Sequence, residues 1–416
     1  MAGSVEALLG FRRTKRQDQS QIWQTEPTMT DIRPFTIDVP ETKLNRIRER
    51  VAAYPWADMP SLGGWDYGTN HAYLRGLCSY WLDGFDWRRE EAAMNSFQHF
   101  ITQIDGIDIH FILEKGSGPN PRPLILSHGW PGSVDEFRHI IQPLAHPERF
   151  GGDIADAFDV VAPSLPGFGF SGAPPQPYGP RKMAALFNTL MTERLGYTGY
   201  LAQGGDWGGA ISSWLGYDHA QACAAIHLNI FTMRHFAGPQ TPAEEAWADE
   251  FDVQQASQNG YRVQQATKPQ SLGFAMADSP VGVAAWIIEK FNAWSDTSGD
   301  DVEAAHTKDA LLANIMIYLV TNSFATASWI YAGRETEGGR LISTDGSRVE
   351  VPTACVLFPK ELLAWPPQSY ADRVYNITRW TEFPRGGHFA AMEEPELLIE
   401  DIRAFARALP LRVSPN

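Results

Sequence analysis

Cysteine is scarce in this chain: Cys78, Cys223 and Cys355 are the only three in 416 residues, far apart and with no C-x-x-C pair. That count and spacing exclude a disulfide framework and a structural zinc site, and they fit a reducing compartment. Long apolar runs are missing too; none reaches the ~18–20 residues of a membrane-spanning helix, so no membrane span is expected. Positive charge is in short supply. Against 49 Asp and Glu there are 34 Lys and Arg, a formal charge of −15, and the one basic block is Arg12-Arg13-Thr14-Lys15-Arg16. This balance argues against nucleic acid as a partner. The opening residues, with Leu8-Leu9 ahead of Arg12-Arg13, lack the basic–apolar–small order of an export signal. Residues 1–31 are therefore expected to be a disordered leader, and the protein cytoplasmic. Repeats and low-complexity tracts are absent. No serine sits in a G-x-S-x-G turn, which argues against a serine esterase.

What is present is an ordinary globular composition, 44% hydrophobic and 20% charged, in a chain long enough for one large domain with an insertion. Residues 32–95 read as helical and irregular, with Leu44, Ile47 and Val51 at helical spacing. Trp65, Tyr67, Tyr73, Trp81, Phe85 and Trp87 suggest a segment that wraps a larger body through aromatic anchors. From Phe97 the period changes to two, and Asp105-Gly106 marks a hairpin turn. Apolar runs at 123–126, 159–162, 200–202, 223–229 and 353–358 read as buried strands, with helices expected at 134–144 and 183–196 between them. More sheet is expected at 376–381 and 386–389, with a closing helix over 395–409. This alternation predicts an α/β fold with a mostly parallel sheet and helices on both faces. Between 232 and 344 it stops. That stretch reads as an all-helical, aromatic-rich lid inserted into a core of residues 96–231 and 345–416.

One turn stands out. Gly204-Gly205-Asp206-Trp207-Gly208-Gly209 follows a short apolar strand and precedes a helical run. A sharp strand-to-helix turn admits only the smallest residues two before and two after its centre. Gly204 and Gly208 hold those positions, and the centre is Asp206. A carboxylate there can attack carbon and form an ester.

In open α/β sheets, chemistry gathers beyond the carboxyl ends of the strands. Glu361 follows the next-to-last expected strand and His388 the last, so the order nucleophile, acid, histidine is that of the α/β-hydrolase arrangement. His388 is the candidate general base, and Glu361 the candidate acid that orients it. Asp372 is a rival for the second role. The turn His128-Gly129-Trp130-Pro131 offers a backbone N–H at Trp130, and Trp207 offers the N–H after the nucleophile. Together these make a candidate oxyanion hole. His128 itself reads as structural.

At these residues the chain resembles the microsomal-type epoxide hydrolases of the α/β-hydrolase superfamily. The likeness runs from about Ile32 to Leu409. It rests on His128-Gly129-Trp130-Pro131-Gly132-Ser133, Gly204-Gly205-Asp206-Trp207-Gly208, Asp278-Ser279-Pro280-Val281-Gly282, Phe358-Pro359-Lys360-Glu361 and Arg385-Gly386-Gly387-His388-Phe389. The resemblance implies an α/β-hydrolase fold with an N-terminal wrapping segment and a helical lid. It also implies two lid tyrosines that activate the epoxide oxygen, matched by Tyr261 and Tyr331, with Tyr318 as a competitor. The implied reaction takes an epoxide and water and needs no cofactor and no metal, and the aromatic lid adds the expectation that the epoxide is small and apolar. A dehalogenase using the same Asp nucleophile is the alternative, with Trp207 as a halide donor. Oligomeric state stays open, a homodimer included.

Overall fold

A computed structural model describes residues 31–297 and 301–409. Apart from Asp31, the expected leader lies outside the described residues.

The body is one nine-stranded sheet. Its strands are β1 (Arg33–Phe35), β2 (His99–Ile104), β3 (Ile107–Glu114), β4 (Arg122–Ser127), β5 (Phe158–Pro163), β6 (Tyr200–Gly204), β7 (Cys223–Leu228), β8 (Val349–Leu357) and β9 (Tyr375–Glu382). They lie in the order β1-β2-β3-β5-β4-β6-β7-β8-β9. From β5 to β9 all pairings are parallel, while β1, β2 and β3 join antiparallel at one edge. The hairpin β2–β3 turns at Asp105 and Gly106, both at positive φ (51° and 78°). This is the backbone an Asp-Gly pair is suited to.

Strand β4 illustrates how the sheet is buried. Leu124 and Leu126 face one apolar layer with Val160, Val356, Leu398 and Phe405. Ile125 faces the other, with Ala202, Ile211 and Trp214. Alternate side chains point to opposite faces, and helices cover both, as expected of an α/β-hydrolase fold.

Three local expectations change. The helix expected over 134–144 is broken into a 3-10 turn, Val134–Phe137, and a short helix, Ile141–Ala145. Pro143 has no N–H for a continuous helix, and its ring would clash with the carbonyl four residues back. The stretch 386–389 is no strand. It contributes one bridge, Lys360 to Gly387. In the N-terminal segment, β1 forms a short edge that the residues did not announce, with Pro34 tolerated because it borders solvent.

That segment also carries three α-helices, Glu41–Ala52, His71–Asp83 and Trp87–Met94, the first two separated by an irregular stretch. Trp81, Phe85 and Trp87 are buried, whereas Tyr67 is exposed. The segment packs on the helical block that follows β7. The Thr69 hydroxyl donates to the Ala285 carbonyl (2.5 Å), and the Tyr80 hydroxyl donates to Asp309 (2.8 Å). Arg138 and Glu90 (2.6 Å) tie it to the sheet body. Among the described residues, seven α-helices and one 3-10 turn between Pro242 and Thr336 make up the block. They roof the carboxyl ends of the strands, where the site lies. Among the described residues no single helix is long and apolar enough to cross a membrane.

Candidate active site

The parallel register of β4 and β6 sets Ser127 beside Gly204, so the turns leaving those strands lie side by side. The second turn is tight. A Cβ on Gly204 would lie 2.2 Å from the Gly208 carbonyl, and one on Gly208 would lie 1.7 Å from the Ser127 oxygen. Both obstacles are backbone and cannot rotate away. Gly208→Ala is expected to destabilise the fold by about 3 kcal/mol, the upper end for overpacking. Chemical denaturation measures this, and a loss under about 0.5 kcal/mol, the range of an innocuous substitution, would contradict the tight-turn account.

This turn holds Asp206 at φ 45°, a conformation non-glycine residues rarely adopt outside strained functional turns. Asp206 opens the helix Asp206–Asp218. Its carboxylate therefore faces a helix N-terminus, where N–H groups without intrahelical acceptors favour negative charge. Trp207 is the next residue of that first turn. From the neighbouring turn, the Trp130 N–H donates to Asp206 Oδ1 (2.8 Å).

On the other oxygen, Oδ2 is 3.4 Å from His388 Nε2. His388 Nδ1 is 2.8 Å from Glu361 Oε1. The Leu362 N–H donates to the same Glu361 oxygen (2.8 Å). The Lys360–Gly387 bridge, with Lys360 N–H bonded to the Gly386 carbonyl (3.1 Å), draws the loops after β8 and β9 together and so sets Glu361 beside His388. Burial lowers the His388 pKa, but Glu361 and Asp206 outweigh it and hold it well above the ordinary value. Asp372, the rival acid, is exposed on the helix Gln368–Val374. His128 is buried and structural. One ring nitrogen meets the Gly129 carbonyl (3.0 Å) and the other accepts from the Leu165 N–H (3.1 Å), and burial lowers its pKa to about 4.

Across from Asp206 stands an aromatic wall. Tyr261 lies on the helix Gly260–Thr267 and Tyr331 on Trp329–Thr336. Their ring centroids are 5.7 Å apart. Tyr261 stacks on Trp130 (5.0 Å), and Tyr331 meets Trp207 edge-on (4.7 Å). The buried Tyr331 hydroxyl lies beside the Trp207 indole and the Tyr261 hydroxyl without a full hydrogen bond to either. Burial, then the Asp206 charge, raises the Tyr261 pKa. Burial, then Tyr261 and Asp206, raises that of Tyr331. Both phenols thus hold their protons. Tyr318 is otherwise engaged, its hydroxyl donating to the Gly132 carbonyl (2.7 Å), while Asn314 donates to the Pro131 carbonyl (2.8 Å). It braces the Trp130 turn.

Two cavities meet at Asp206, the one residue they share. The larger, about 690 Å³, is lined by Trp207, Tyr261, Tyr331, Ile230 and Leu363 among others. The smaller, about 340 Å³, holds His388, Asn229 and Glu136. Glu136 was not anticipated from sequence. Burial raises its pKa to about 8, with His388 opposing and Asp206 and Asp135 adding to the rise. Its carboxylate occupies the space a Cβ on Gly132 would take (1.2 Å). The pairing of Gly132 with Glu136 four residues on is the only trace it leaves in the sequence. Arg262, Arg334 and Arg340 line the larger cavity and were likewise missed. Among the described residues no His, Cys, Asp and Glu cluster is arranged to hold a metal ion.

Residues 32–137 match the family model described as the epoxide hydrolase N terminus, and residues 122–272 match the alpha/beta hydrolase fold. The chain is 33% identical to epoxide hydrolase 1 of Sus scrofa, over 90% of this chain and 88% of that one. The solved structure of the Aspergillus niger epoxide hydrolase superposes with a TM-score of 0.79 at 29% identity, covering 92% of this chain and 97% of that one. The juvenile hormone epoxide hydrolase of Bombyx mori gives 0.79 at 30%, covering 91% and 94%. With such coverage from the wrapping segment through the last helix, the chain belongs to the epoxide hydrolase family, on the α/β-hydrolase fold, and its reaction is the hydrolysis of epoxides.

Proposed function

We propose that the reaction runs through a covalent ester on Asp206. The observation that carries this reading is one connected line of groups: Trp130 N–H, Asp206, His388 and Glu361, faced by Tyr261 and Tyr331. Asp206 attacks an epoxide carbon, and the C–O bond breaks as a tyrosine hydroxyl gives its proton to the leaving oxygen. An alkoxide is far more basic than a phenolate of pKa ~10, so the transfer is downhill. The tyrosines are left sharing one negative charge. Water then attacks the carbonyl carbon of the ester while His388 takes its proton. The Trp130 and Trp207 N–H groups hold the tetrahedral oxyanion, and Glu361 stabilises the imidazolium. Collapse returns that proton to the departing diol oxygen, and the carboxylic acid proton of Asp206 goes back to the phenolate. The small cavity beside His388 has room for the attacking water. No cofactor or metal enters any step.

The tyrosines distinguish this chemistry. Tyr331→Phe keeps the ring against Trp207 and removes only the proton donor. It is expected to lower kcat/KM for styrene oxide by about 10²–10³-fold, the scale of a lost general acid, and Tyr261→Phe by a similar factor. Steady-state diol formation measures this. A double variant with wild-type activity would exclude the tyrosines from the reaction.

The ester also solves a charge problem. In the free enzyme the two carboxylates hold the His388 pKa up and favour its charged form. Esterification removes the Asp206 charge and its share of the rise, lowering the pKa and releasing the base. The acid limb of ester hydrolysis in rapid-quench pH profiles should therefore lie below the His388 titration in the free enzyme by NMR. Coincident values would contradict this sequence of charges.

Apolar side chains around the nucleophile, Trp207, Ala210, Ile230, Leu362 and Leu363, support an apolar segment on the epoxide carbons. One observation favours the dehalogenase alternative: the buried indole N–H of Trp130 has no acceptor. Halide release from 1-bromohexane at a rate rivalling styrene oxide hydrolysis would support it. Three cysteines in 416 residues, far apart and with no C-x-x-C pair, support a reducing, cytoplasmic setting.

A further inference from the structure

The larger cavity is not uniformly apolar. Arg262 follows Tyr261, and Arg334 lies three residues after Tyr331, on the same face of its helix. Arg340 comes from the loop beyond, and all three line the cavity that holds Asp206. Arg234 stands directly behind, its N–H donating to the Arg340 carbonyl (2.8 Å). Its guanidinium lies 4.0 Å from the Phe251 ring centre, and that of Arg340 lies 5.1 Å from the same ring. The Arg334 guanidinium is 5.5 Å from the Trp207 ring.

Four cations converge here with little to balance them. Glu335 serves both Arg334 and Arg262, the latter at 3.6 Å. Among the described residues no carboxylate makes an ion pair with Arg340 or Arg234. Arg334 Nε and Arg234 Nη2 are buried without an acceptor. Burial, then repulsion from Arg334, Arg234 and Arg262, pushes the Arg340 pKa well below that of a free guanidinium. The chain as a whole carries −15, so a general excess of basic residues does not account for the cluster. Guanidinium groups stay charged in proteins, and their fork of donors matches a carboxylate. Arg340 and Arg234 are half-buried without an ion pair, a costly placement for a cation drawn out of water, and an anion entering from solvent relieves that cost.

We propose that the preferred substrate is an epoxide carrying a carboxylate, with the oxirane at Asp206, its apolar segment along Ile230 and Leu363, and the carboxylate at Arg340, assisted by Arg334 and Arg262. This rests on the assignment of Asp206 as nucleophile, and it adds a binding determinant within the same cavity. The arginines act on binding, so the preference falls mainly in KM.

The test compares 5,6-epoxyhexanoate, 7,8-epoxyoctanoate and 9,10-epoxydecanoate, each with its methyl ester, using styrene oxide as neutral reference. At one chain length at least, kcat/KM for the acid is expected to exceed that of the ester tenfold or more, and 0.5 M NaCl to shrink the ratio. Arg340→Met is expected to bring the ratio within about twofold of unity by lowering the acid value. An equal loss on acid and ester would overturn the proposal, because the arginine would then act on the tyrosines and not on the carboxylate. Inhibition of the unaltered enzyme gives a second measure. Octanoate is expected to compete with styrene oxide at least tenfold better than octanamide, and equal inhibition would overturn the proposal. Equal turnover of acids and esters alongside good turnover of styrene oxide sinks the carboxylate site alone. No turnover of any epoxide sinks the nucleophile assignment with it.

Discussion

Asp206→Ala is expected to reduce diol formation by roughly 10⁴–10⁶-fold, the range for removing the nucleophile from a site whose groups act as a unit. The tyrosines and the Trp130 N–H would remain, but nothing would be left to attack carbon. The His388 imidazole could activate a water, yet it lies 3.4 Å from the Asp206 carboxylate, on the side of the small cavity, and is not directed at the epoxide carbon. The substitution carries some structural cost, since Asp206 sits at positive φ and Asp and Asn tolerate that region better than Ala. Asp206→Asn separates the two effects: it keeps the backbone preference and removes the charge. Initial diol formation by freshly purified Asn variant should be as low as that by the Ala variant. Either variant forming diol within tenfold of the unaltered enzyme would contradict the role given to Asp206.

His388→Gln is expected to divide the reaction in two. Ester formation requires Asp206 and the tyrosines, which this substitution leaves in position, so one equivalent of epoxide should be consumed quickly. Hydrolysis of the ester loses its base and should slow by about 10²–10⁴-fold. The enzyme would accumulate as an adduct heavier by the mass of one epoxide, located by peptide mapping to the segment around Asp206. Denatured-state mass spectrometry reads this directly. Slow turnover with no adduct would mean that His388 acts before or during epoxide opening. Glu361→Gln should follow the same pattern more weakly. It preserves an acceptor for the His388 Nδ1–H but not the charge that holds the His388 pKa up.

The sequence made the elbow readable because its constraint is local. Gly204 and Gly208 are demanded by atoms within two residues of Asp206 and by the adjoining strand, and glycine at both positions is a visible signature. The hairpin at Asp105-Gly106 and the buried strands were readable for the same reason, since turn chemistry and period are properties of short windows. Tyr261 and Tyr331 came from resemblance. Nothing in their own neighbourhoods separates them from Tyr318, whose hydroxyl is occupied by the Gly132 carbonyl.

What escaped was whatever depends on distant segments meeting. The edge strand β1 is three residues long and contains a proline, so it shows no period of its own and exists because β2 offers a free edge. The break at Pro143 was written in the sequence and outweighed by the apolar residues around it. Glu136 reaches the small cavity beside His388 because Gly132 leaves space for it. The arginines come from the Gly260–Thr267 helix, the Trp329–Thr336 helix, the loop after it and the stretch following β7, and an overall charge of −15 points away from a basic cavity. Only the packing of the helical block brings them to one wall.

A single turnover in H₂¹⁸O, with enzyme in excess over styrene oxide, separates an Asp206 ester from direct attack by water. Water attacks the ester at its carbonyl carbon, so the diol of the first turnover should carry only ¹⁶O, taken from Asp206. The peptide containing Asp206 should gain one ¹⁸O. Label in the first-turnover diol with none in that peptide would mean that water opens the epoxide directly, and the covalent account would be wrong.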